Sequence, residues 1–381
     1  MGTVGASITT TVSPLSRTWS WMKDVSRVRN GVGAISSATR GAAAMSAEPG
    51  RGASNSRSAR RSGRRSRGGG AGPGDGTRRR RDDMTLRDDG DRREGEGGGA
   101  DGTDAPRGEV VMIDSHIHLD DLGIGPADLP AGWAGLIPGV LPSRTREVLA
   151  QWGADDRVRV AAAIHPWRLA AEDPALAEDP RWRDVQELVR TGRVDAIGET
   201  GFDRRRFAGD ARGHARAVEV FVAHLALARE ASLPVVVHAV SGPGLLLELL
   251  RAHGAGLRGV VHAFTGSSEV ARELASLGFC VGVGGQVTRP DARRLHRAVA
   301  EAAPGTWLLE TDAPWIGVDG AGRGSGRLSD LERVAEDVAR LRGSSVRDIL
   351  IENEATFRRM FPQSRDPNDH SPSAGGSASP G

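Results

Sequence analysis

Two histidines, His116 and His118, stand one residue apart in the stretch MIDSHIHLDD (112–121). Side chains at positions i and i+2 of a β-strand point to the same side, so two imidazoles in this spacing can bind one cation. The alternative for an isolated pair is two hydrogen-bonded histidines of the core. The choice between the two depends on which other residues the fold brings beside the pair.

Other residues of metal-ligand type follow apolar runs later in the chain. Glu199 follows AIG, and a carboxylate there is costly to bury unless it pairs with an arginine or binds a metal. Some barrel hydrolases bridge two metals with a modified lysine, but the only lysine here is Lys23, so Glu199 is the candidate bridge. His238 and His262 end the runs VVVHAV and VVHAFTG, and each alone is more often a core histidine.

The last strand and two loops add further candidates. Asp312 in LLETDAP can bind a metal and can also hold or deprotonate an attacking water. Glu310, two residues earlier, is expected deeper in the fold as a support for the ligands or as a structural residue. His165 in AAIHPW is a candidate substrate contact or a hydrogen-bond partner of a ligand. The arginines after ETGFD, Arg204 first among them, are candidate phosphate contacts, with a solvated loop as the alternative.

Eight apolar runs alternate with helical segments rich in Ala, Leu and Arg, as expected for strands buried on both faces of a parallel sheet. The runs span 110–119, 135–141, 158–166, 194–201, 234–240, 258–266, 279–287 and 306–314. This pattern predicts an α/β fold, a (β/α)8 TIM barrel in a single domain, with a doubly wound open sheet as the alternative. In a barrel all strands end on one face, so the candidate residues should converge at one mouth.

The composition limits the partners and the location expected for the protein. The formal net charge is +2, but the excess of positive charge lies in residues 1–109 and the rest is mildly acidic, without a global footprint for nucleic acid. A single cysteine, Cys280, excludes an intramolecular disulfide framework and favours a cytoplasmic location. No apolar run approaches the roughly 20 residues of a membrane span, so no membrane association is expected.

The two ends of the chain differ in composition from the segment between them. Residues 1–109 are rich in Gly, Ser and Arg and predict disorder, as does the tail 363–381. The N-terminal segment is interpreted as an unstructured extension or as sequence upstream of a true start near Met112. A nucleic-acid-binding arm is the alternative. The catalytic barrel is expected over residues 110–362.

Six motifs in this order resemble those of the TatD family of metal-dependent hydrolases in the amidohydrolase superfamily: DSHIHLD, AAIHPW, AIGETGFD, LPVVVHAV, GVVHAFTGS and LLETDAPW. The segment ENEATFRRMF (352–361) is similar to the family's C-terminal helix. The resemblance implies a TIM barrel, a one- or two-metal site and, in some members, deoxyribonuclease activity on DNA ends. It implies metal ligands at six positions: His116, His118, Glu199, His238, His262 and Asp312.

The chain departs from the family pattern in two places near the substrate. Arg204 stands where the family often has an aromatic residue, and GVDGAGRGSGRLSD (317–330) replaces an Asn-Pro-rich loop. Metal chemistry is therefore better supported than the family's usual substrate.

The expected cofactor is one or two divalent ions, with Zn, Mn, Co and Mg all compatible with mixed His and carboxylate ligands. One ion is expected at His116, His118, Glu199 and Asp312, and a second at Glu199, His238 and His262. Bound ions lower the pKa of a water from 15.7 toward about 7 and polarise a phosphoryl oxygen. Asp312 then accepts the proton, so Asp312 and Glu199 are the predicted catalytic residues.

The predicted reaction is hydrolysis of an ester, foremost a phosphodiester at DNA ends in the manner of a 3'-5' exonuclease. A small-molecule amidohydrolase, lactonase or phosphotriesterase at the same site is the first alternative, which the mildly acidic barrel favours. The second alternative is a metal-binding or nucleic-acid-binding protein without catalysis. The sequence leaves the oligomeric state open.

Overall fold

The computed structural model of the chain describes residues 110–363. The predictions of disorder for 1–109 and for the tail lie outside the described residues, except at Gln363. Within them, eight parallel strands form one sheet in the order β1 to β8. A doubly wound sheet would reverse its strand order at a switch point, so the sequential order confirms the predicted barrel.

The strands are β1 (Met112–Asp114), β2 (Trp133–Ile137), β3 (Val158–Ala162), β4 (Ala196–Asp203), β5 (Val235–Val240), β6 (Gly259–Val261), β7 (Phe279–Val283) and β8 (Trp307–Leu309). The α-helices of the described segment are α1 (Leu119–Leu122), α2 (Pro142–Trp152), α3 (Pro180–Arg190), α4 (Ala211–Ala231), α5 (Pro243–His253), α6 (Ser268–Ser276), α7 (Arg293–Glu301), α8 (Asp330–Arg342) and α9 (Val346–Met360). No helix between residues 110 and 363 combines the length and apolarity that crossing a membrane requires.

Local sequence explains where several of these helices begin. Proline opens α2, α3 and α5 at Pro142, Pro180 and Pro243. Its fixed φ and missing N–H suit the first helical position, where the N–H would have no partner. Asp179 caps α3, since its carboxylate accepts the Arg181 backbone N–H at 2.9 Å. Each of these helices follows a strand and returns the chain to the start of the next one.

The interior of the barrel is apolar at its amino end. One residue from each strand contributes to an interior cluster: Ile113, Leu136, Ala161, Ala196, Val236, Val260, Cys280 and Leu308. Phe357, Met360 and Phe361 at the end of α9 pack against this cluster. Apolar side chains therefore fill the amino end of the barrel, and the polar side chains lie at its carboxyl end.

The seam between β8 and β1 is closed partly by a side chain. The Ser115 backbone N–H donates to the Leu309 carbonyl at 2.9 Å. Asn353 of α9 spans the same seam, since its amide nitrogen donates to the Ile113 carbonyl at 2.7 Å and its oxygen accepts the Leu309 N–H at 2.8 Å. Buried backbone groups need such partners, so Asn353 replaces part of the missing strand ladder.

Strand β4 has an irregularity at its functional position. Its pairing with β5 shifts register between Ile197 and Thr200, as in a β-bulge, and this shift lies around Glu199. Gly201 has φ 143°, and a Cβ there would lie 2.0 Å from the His238 carbonyl oxygen. Glycine at this position therefore permits the close approach of β4 to β5, which brings Glu199 and His238 together.

Candidate metal centre

Seven of the predicted site residues converge at the carboxyl end of the barrel, and all are buried. We call this group the mouth cluster: His116, His118, His165, Glu199, His238, His262 and Asp312. Only Glu199 and His238 lie within strands, because the strand ladder ends earlier than the apolar runs predict. The other members lie just past the strand ends, where the chain turns over the mouth.

Glu199 lies at the centre of the mouth cluster. Its Oε1 atom is 3.1 Å from His165 Nε2, 2.5 Å from His238 Nδ1 and 2.7 Å from His262 Nε2. Its Oε2 atom is 3.3 Å from His116 Nε2. One carboxylate thus contacts four imidazoles that come from four different strand ends.

Asp312 faces the histidine pair from β8. Its Oδ1 atom lies 3.6 Å from His116 Nε2 and 3.5 Å from His118 Nε2, so both imidazoles point to one carboxylate. Asp312 has φ 53°, an uncommon conformation for a residue with a side chain. Its backbone N–H donates to the His116 carbonyl at 2.9 Å, which holds the strained residue across the seam.

The hydrogen bonding of the buried imidazole nitrogens fits a mouth cluster that binds a divalent cation. His116 Nδ1 is buried without a hydrogen-bond partner among the described residues. His116 Nε2, His238 Nε2 and His262 Nδ1 have only long carboxylate contacts, of which the shortest are 3.3 Å, 3.7 Å and 3.9 Å. His238 Nδ1 and His262 Nε2 lie 3.0 Å apart. Buried polar atoms without partners are rare in proteins and can indicate an ion. Imidazole nitrogens and carboxylate oxygens are the donors that Zn, Mn and Co accept.

Ligand atoms lie within 4.8 Å of one another in three sets inside the mouth cluster: His116, His118 and Glu199; His116, His262 and Asp312; His165, Glu199 and His238. This grouping differs from the predicted one. His262 is grouped with the first-strand histidine and with Asp312, and His165 joins Glu199. The predicted assignment of ligands to two separate ions stays a prediction.

Three members of the mouth cluster, Glu199, Asp312 and His116, have the charge states that metal binding requires. Burial alone would raise the pKa of Glu199, but the surrounding imidazoles hold that pKa well below its usual value. Burial is likewise outweighed at Asp312, whose pKa is lowered by the hydrogen bond from His118. Burial lowers the pKa of His116 to about 4, which leaves a neutral imidazole at pH 7. Metal binding requires ionised carboxylates and neutral imidazoles.

At His262 burial would lower the pKa, but the Glu199 charge raises it to about 10. This imidazole therefore holds a proton at pH 7, which a bound metal would have to displace.

Two carboxyl groups support the mouth cluster from below. Asp114 accepts the His116 backbone N–H at 3.1 Å and the Thr311 hydroxyl at 2.7 Å. Glu310 is fully buried, as predicted, and its Oε1 atom accepts the Ala263 N–H at 2.5 Å. Burial raises the pKa of Glu310 to about 8 and that of Asp114 to about 7. Such supporting groups fix the orientation of metal ligands.

His165 has a defined orientation. Its Nδ1 atom accepts the Trp167 backbone N–H at 3.0 Å, which places the ring proton on Nε2. Nε2 then donates to Glu199 at 3.1 Å. The geometry supports the predicted role as a hydrogen-bond partner of a ligand, and the substrate contact of His165 stays a prediction.

A cavity of about 570 Å³ opens above the mouth cluster. Its lining includes four arginines: Arg144, Arg168, Arg206 and Arg323. Arg144 is neutralised by two aspartates at 2.6 Å and 3.2 Å. Within residues 110–363, the other three guanidinium groups form no ion pair with a carboxylate. Three guanidinium groups without a carboxylate partner therefore line the entrance, which Asp120, Asp121 and Glu147 also line.

Arg204, the predicted phosphate contact, is exposed and does not line this cavity, whereas Arg206 does. A substrate role for Arg204 stays a prediction.

Sequence reasoning missed two tryptophans of the cavity. Trp167 and Trp315 are 37% and 38% exposed, and both line the entrance. The signal was present in the sequence, since each tryptophan follows a proline directly after a mouth-cluster segment, in AAIHPW and ETDAPW.

An eight-stranded parallel barrel with buried histidines and carboxylates at its carboxyl end has the architecture of a barrel metallohydrolase. Comparison with known proteins agrees. A family model described as TatD related DNase matches residues 113–362. A relative described as an uncharacterized metal-dependent hydrolase TatD, from Mycobacterium tuberculosis, is 34% identical over 221 residues, which cover 54% of this chain and 80% of that protein.

Two further relatives extend the comparison. The 3'-5' ssDNA/RNA exonuclease TatD of Klebsiella pneumoniae is 32% identical over 207 residues, which cover 52% of this chain and 75% of that protein. The crystal structure of YjjV, a TatD homologue from Escherichia coli, matches with a TM-score of 0.56 at 26% identity, over 66% of this chain and 97% of that chain. The chain belongs to the TatD family of metal-dependent hydrolases.

Proposed function

We propose that the barrel, residues 110–362, hydrolyses phosphodiester bonds at the ends of single-stranded DNA as a 3'-5' exonuclease. The observation that carries this proposal is the entrance, where three unpaired guanidinium groups surround the cavity above the mouth cluster. Guanidinium groups bind phosphate oxygens with charge-assisted hydrogen bonds. Two relatives named as 3'-5' ssDNA/RNA exonucleases, from Klebsiella pneumoniae and Erwinia tasmaniensis, support the same substrate.

The proposed ligands of the first ion are His116, His118, Glu199 and Asp312, and those of the second are Glu199, His238 and His262. When bound, a divalent cation supplies a Lewis acid for the phosphoryl oxygen and lowers the pKa of water. Glu199 lies among imidazoles from four strand ends, which suits a carboxylate shared between two ions.

Asp312 is the proposed general base. Its pKa lies below the usual carboxyl value, because the hydrogen bond from His118 outweighs burial, so it is ionised at neutral pH. An ionised carboxylate can take a proton from the attacking water. His165 holds Glu199 in place through its Nε2 proton.

The test uses the full-length chain, stripped of metal and supplied separately with Mg, Mn, Co or Zn. The substrate is single-stranded DNA labelled at its 5' end, so removal of nucleotides from the 3' end gives a ladder of shorter labelled products. We expect metal-dependent shortening, and we expect Asp312→Asn to lower the rate by roughly 100-fold or more, as for loss of a general base.

A matched panel of lactones, cyclic amides and phosphotriesters separates the alternatives. Metal-dependent turnover of one of these compounds without cleavage of DNA would replace the nuclease assignment with a small-molecule hydrolase. Near-normal turnover by Asp312→Asn would contradict the role of Asp312.

A further inference from the structure

We propose that Trp167, Trp315 and Arg323 form a rim clamp that binds the terminal nucleotide of a single-stranded substrate. The nucleobase takes the place of the Arg323 guanidinium between the two indole rings, and Arg323 moves to the adjacent phosphate. This inference rests on the proposed function and names the part of the substrate that the entrance recognises.

The two tryptophans are unusual among the exposed residues. Only four large apolar side chains in residues 110–363 are exposed, and both tryptophans among them line the entrance of the cavity. Single exposed apolar residues are common on protein surfaces, but two large rings at one cavity provide a stacking surface. Base–aromatic stacking is the usual means of binding single strands.

Trp167 is held in a fixed orientation. Its indole Nε1–H donates to Asp203 Oδ2 at 2.9 Å, and its backbone N–H donates to His165 Nδ1 at 3.0 Å. The polar group of the ring is thereby satisfied, and the ring keeps an exposed surface. A ring fixed in advance loses little conformational entropy when a base stacks on it.

Both rings lie directly beside the mouth cluster. The Trp315 ring contacts His118 edge-on, with centroids 6.3 Å apart. The Trp167 ring contacts His165 and His238 edge-on, at 5.7 Å and 6.0 Å. A base held by these rings would keep its own phosphate next to the residues proposed to perform hydrolysis.

Arg323 already bridges the rings. Its guanidinium carbon lies 4.6 Å from the Trp167 ring centroid and 5.3 Å from the Trp315 ring centroid. One flat group at this position is therefore within stacking range of both rings. The guanidinium is flat and cationic, and such groups stack on aromatic faces. A nucleobase has the same flat shape and a larger stacking surface.

The loop that carries Arg323 suits an exchange of partners. Gly322 and Gly324 flank Arg323, and a Cβ at either glycine would meet no atom within 4 Å. Arg323 forms no ion pair with a carboxylate in the described part of the chain, so its charge stays available for a phosphate. Arg327 of the same loop is exposed but does not line the cavity, and it offers a matched control.

The experiment compares binding and turnover in the full-length chain. Binding of a fluorescent single-stranded hexanucleotide is measured by anisotropy in EDTA, where no hydrolysis occurs. We expect Trp315→Ala to weaken binding roughly 10-fold, as for loss of one stacked base, and Trp315→Phe to retain most of the affinity. Arg323→Ala should reduce the slope of log affinity against log salt by about 0.7, the effect of one lost phosphate contact on a single strand, and Arg327→Ala should not.

Turnover with metal then separates stacking from other effects. The substrates carry either a natural or an abasic 3'-terminal nucleotide. We expect Trp315→Ala to lower kcat/KM much more for the natural end than for the abasic end. The reason is that the Trp315 ring and the terminal base interact with each other, so the ring contributes little once the base is absent. Equal losses on both substrates, or unchanged binding in Trp315→Ala, would overturn the rim clamp while the nuclease assignment stands. Failure of the wild-type chain to bind and cleave DNA would overturn both.

Discussion

Replacing Asn353 by alanine tests whether the barrel seam supports the metal centre. Asn353 is fully buried, and its amide bonds one backbone group of β1 and one of β8, at 2.7 Å and 2.8 Å. Alanine would leave the Ile113 carbonyl and the Leu309 N–H without partners. Each unsatisfied buried group costs about 1–3 kcal/mol, so we expect Asn353→Ala to lower the free energy of unfolding by about 2–6 kcal/mol.

The seam lies between the two strands that lead into predicted metal ligands. β1 leads into His116 and His118, and β8 leads into Asp312, so loosening the seam should also weaken divalent-metal binding. Unfolding in urea, followed by circular dichroism, measures the stability, and equilibrium dialysis with Mn²⁺ measures the metal binding.

Glu354→Gln on the same helix is the matched control for Asn353→Ala. It removes only a partly exposed ion pair with Arg358, which is worth about 0–1 kcal/mol. A loss in Asn353→Ala no larger than that of the control would refute the role of the seam.

Three further predictions concern acid stability, strand approach and the entrance. Burial lowers the pKa of His224 to about 4 from 6.5, so the contribution of His224 to stability should fall by about 3 kcal/mol as the pH drops from about 6.5 toward 4. His224→Gln should flatten this dependence in urea titrations at each pH, and an unchanged profile would contradict it. Gly201→Ala should reduce the melting temperature and abolish metal binding, since its Cβ would lie 2.0 Å from a carbonyl oxygen of β5. Gly209→Ala, with φ 83° and open space around the Cβ, should cost only about 1–2 kcal/mol, so equal effects would argue against the close approach. Arg206→Ala should raise KM for single-stranded DNA several-fold in steady-state assays, whereas Arg144→Ala, whose charge is already neutralised, should change KM less. Equal effects of the two arginine variants on KM would contradict the claim that an unpaired guanidinium binds the substrate more strongly than a paired one.

The barrel and the convergence of the candidate ligands could be predicted because they follow from periodicity. Apolar runs that alternate with helices specify parallel strands, and parallel strands in a barrel present all their carboxyl ends on one face. His116 and Asp312 are far apart in sequence, yet they meet because the carboxyl ends of β1 and β8 lie side by side at the barrel seam. The burial of Glu310 deeper in the barrel than Asp312 could be predicted because side chains two residues apart on a strand point to the same side.

The entrance could not be predicted in the same way, because loop conformation has no period. Arg206 lines the cavity and Arg204 does not, a difference set by the turn after β4 that no spacing rule encodes. Arg323 and Trp315 belong to the loop after β8, and Arg323 also contacts Trp167 in the loop after β3. Contacts of this kind depend on backbone geometry at the ends of elements, where sequence patterns are weakest.

The most direct test of the metal centre is the metal content of the wild-type chain and of Glu199→Gln. Glu199 contacts four imidazoles of the mouth cluster, so loss of its charge should affect every ion bound there. Both proteins are equilibrated with Mn²⁺, separated from free metal and analysed by mass spectrometry of the metal, with circular dichroism as the control for folding. We predict one or two equivalents in the wild-type chain and a clear loss in folded Glu199→Gln. Equal metal content in the two folded proteins, or none in the wild-type chain, would contradict the proposed metal centre.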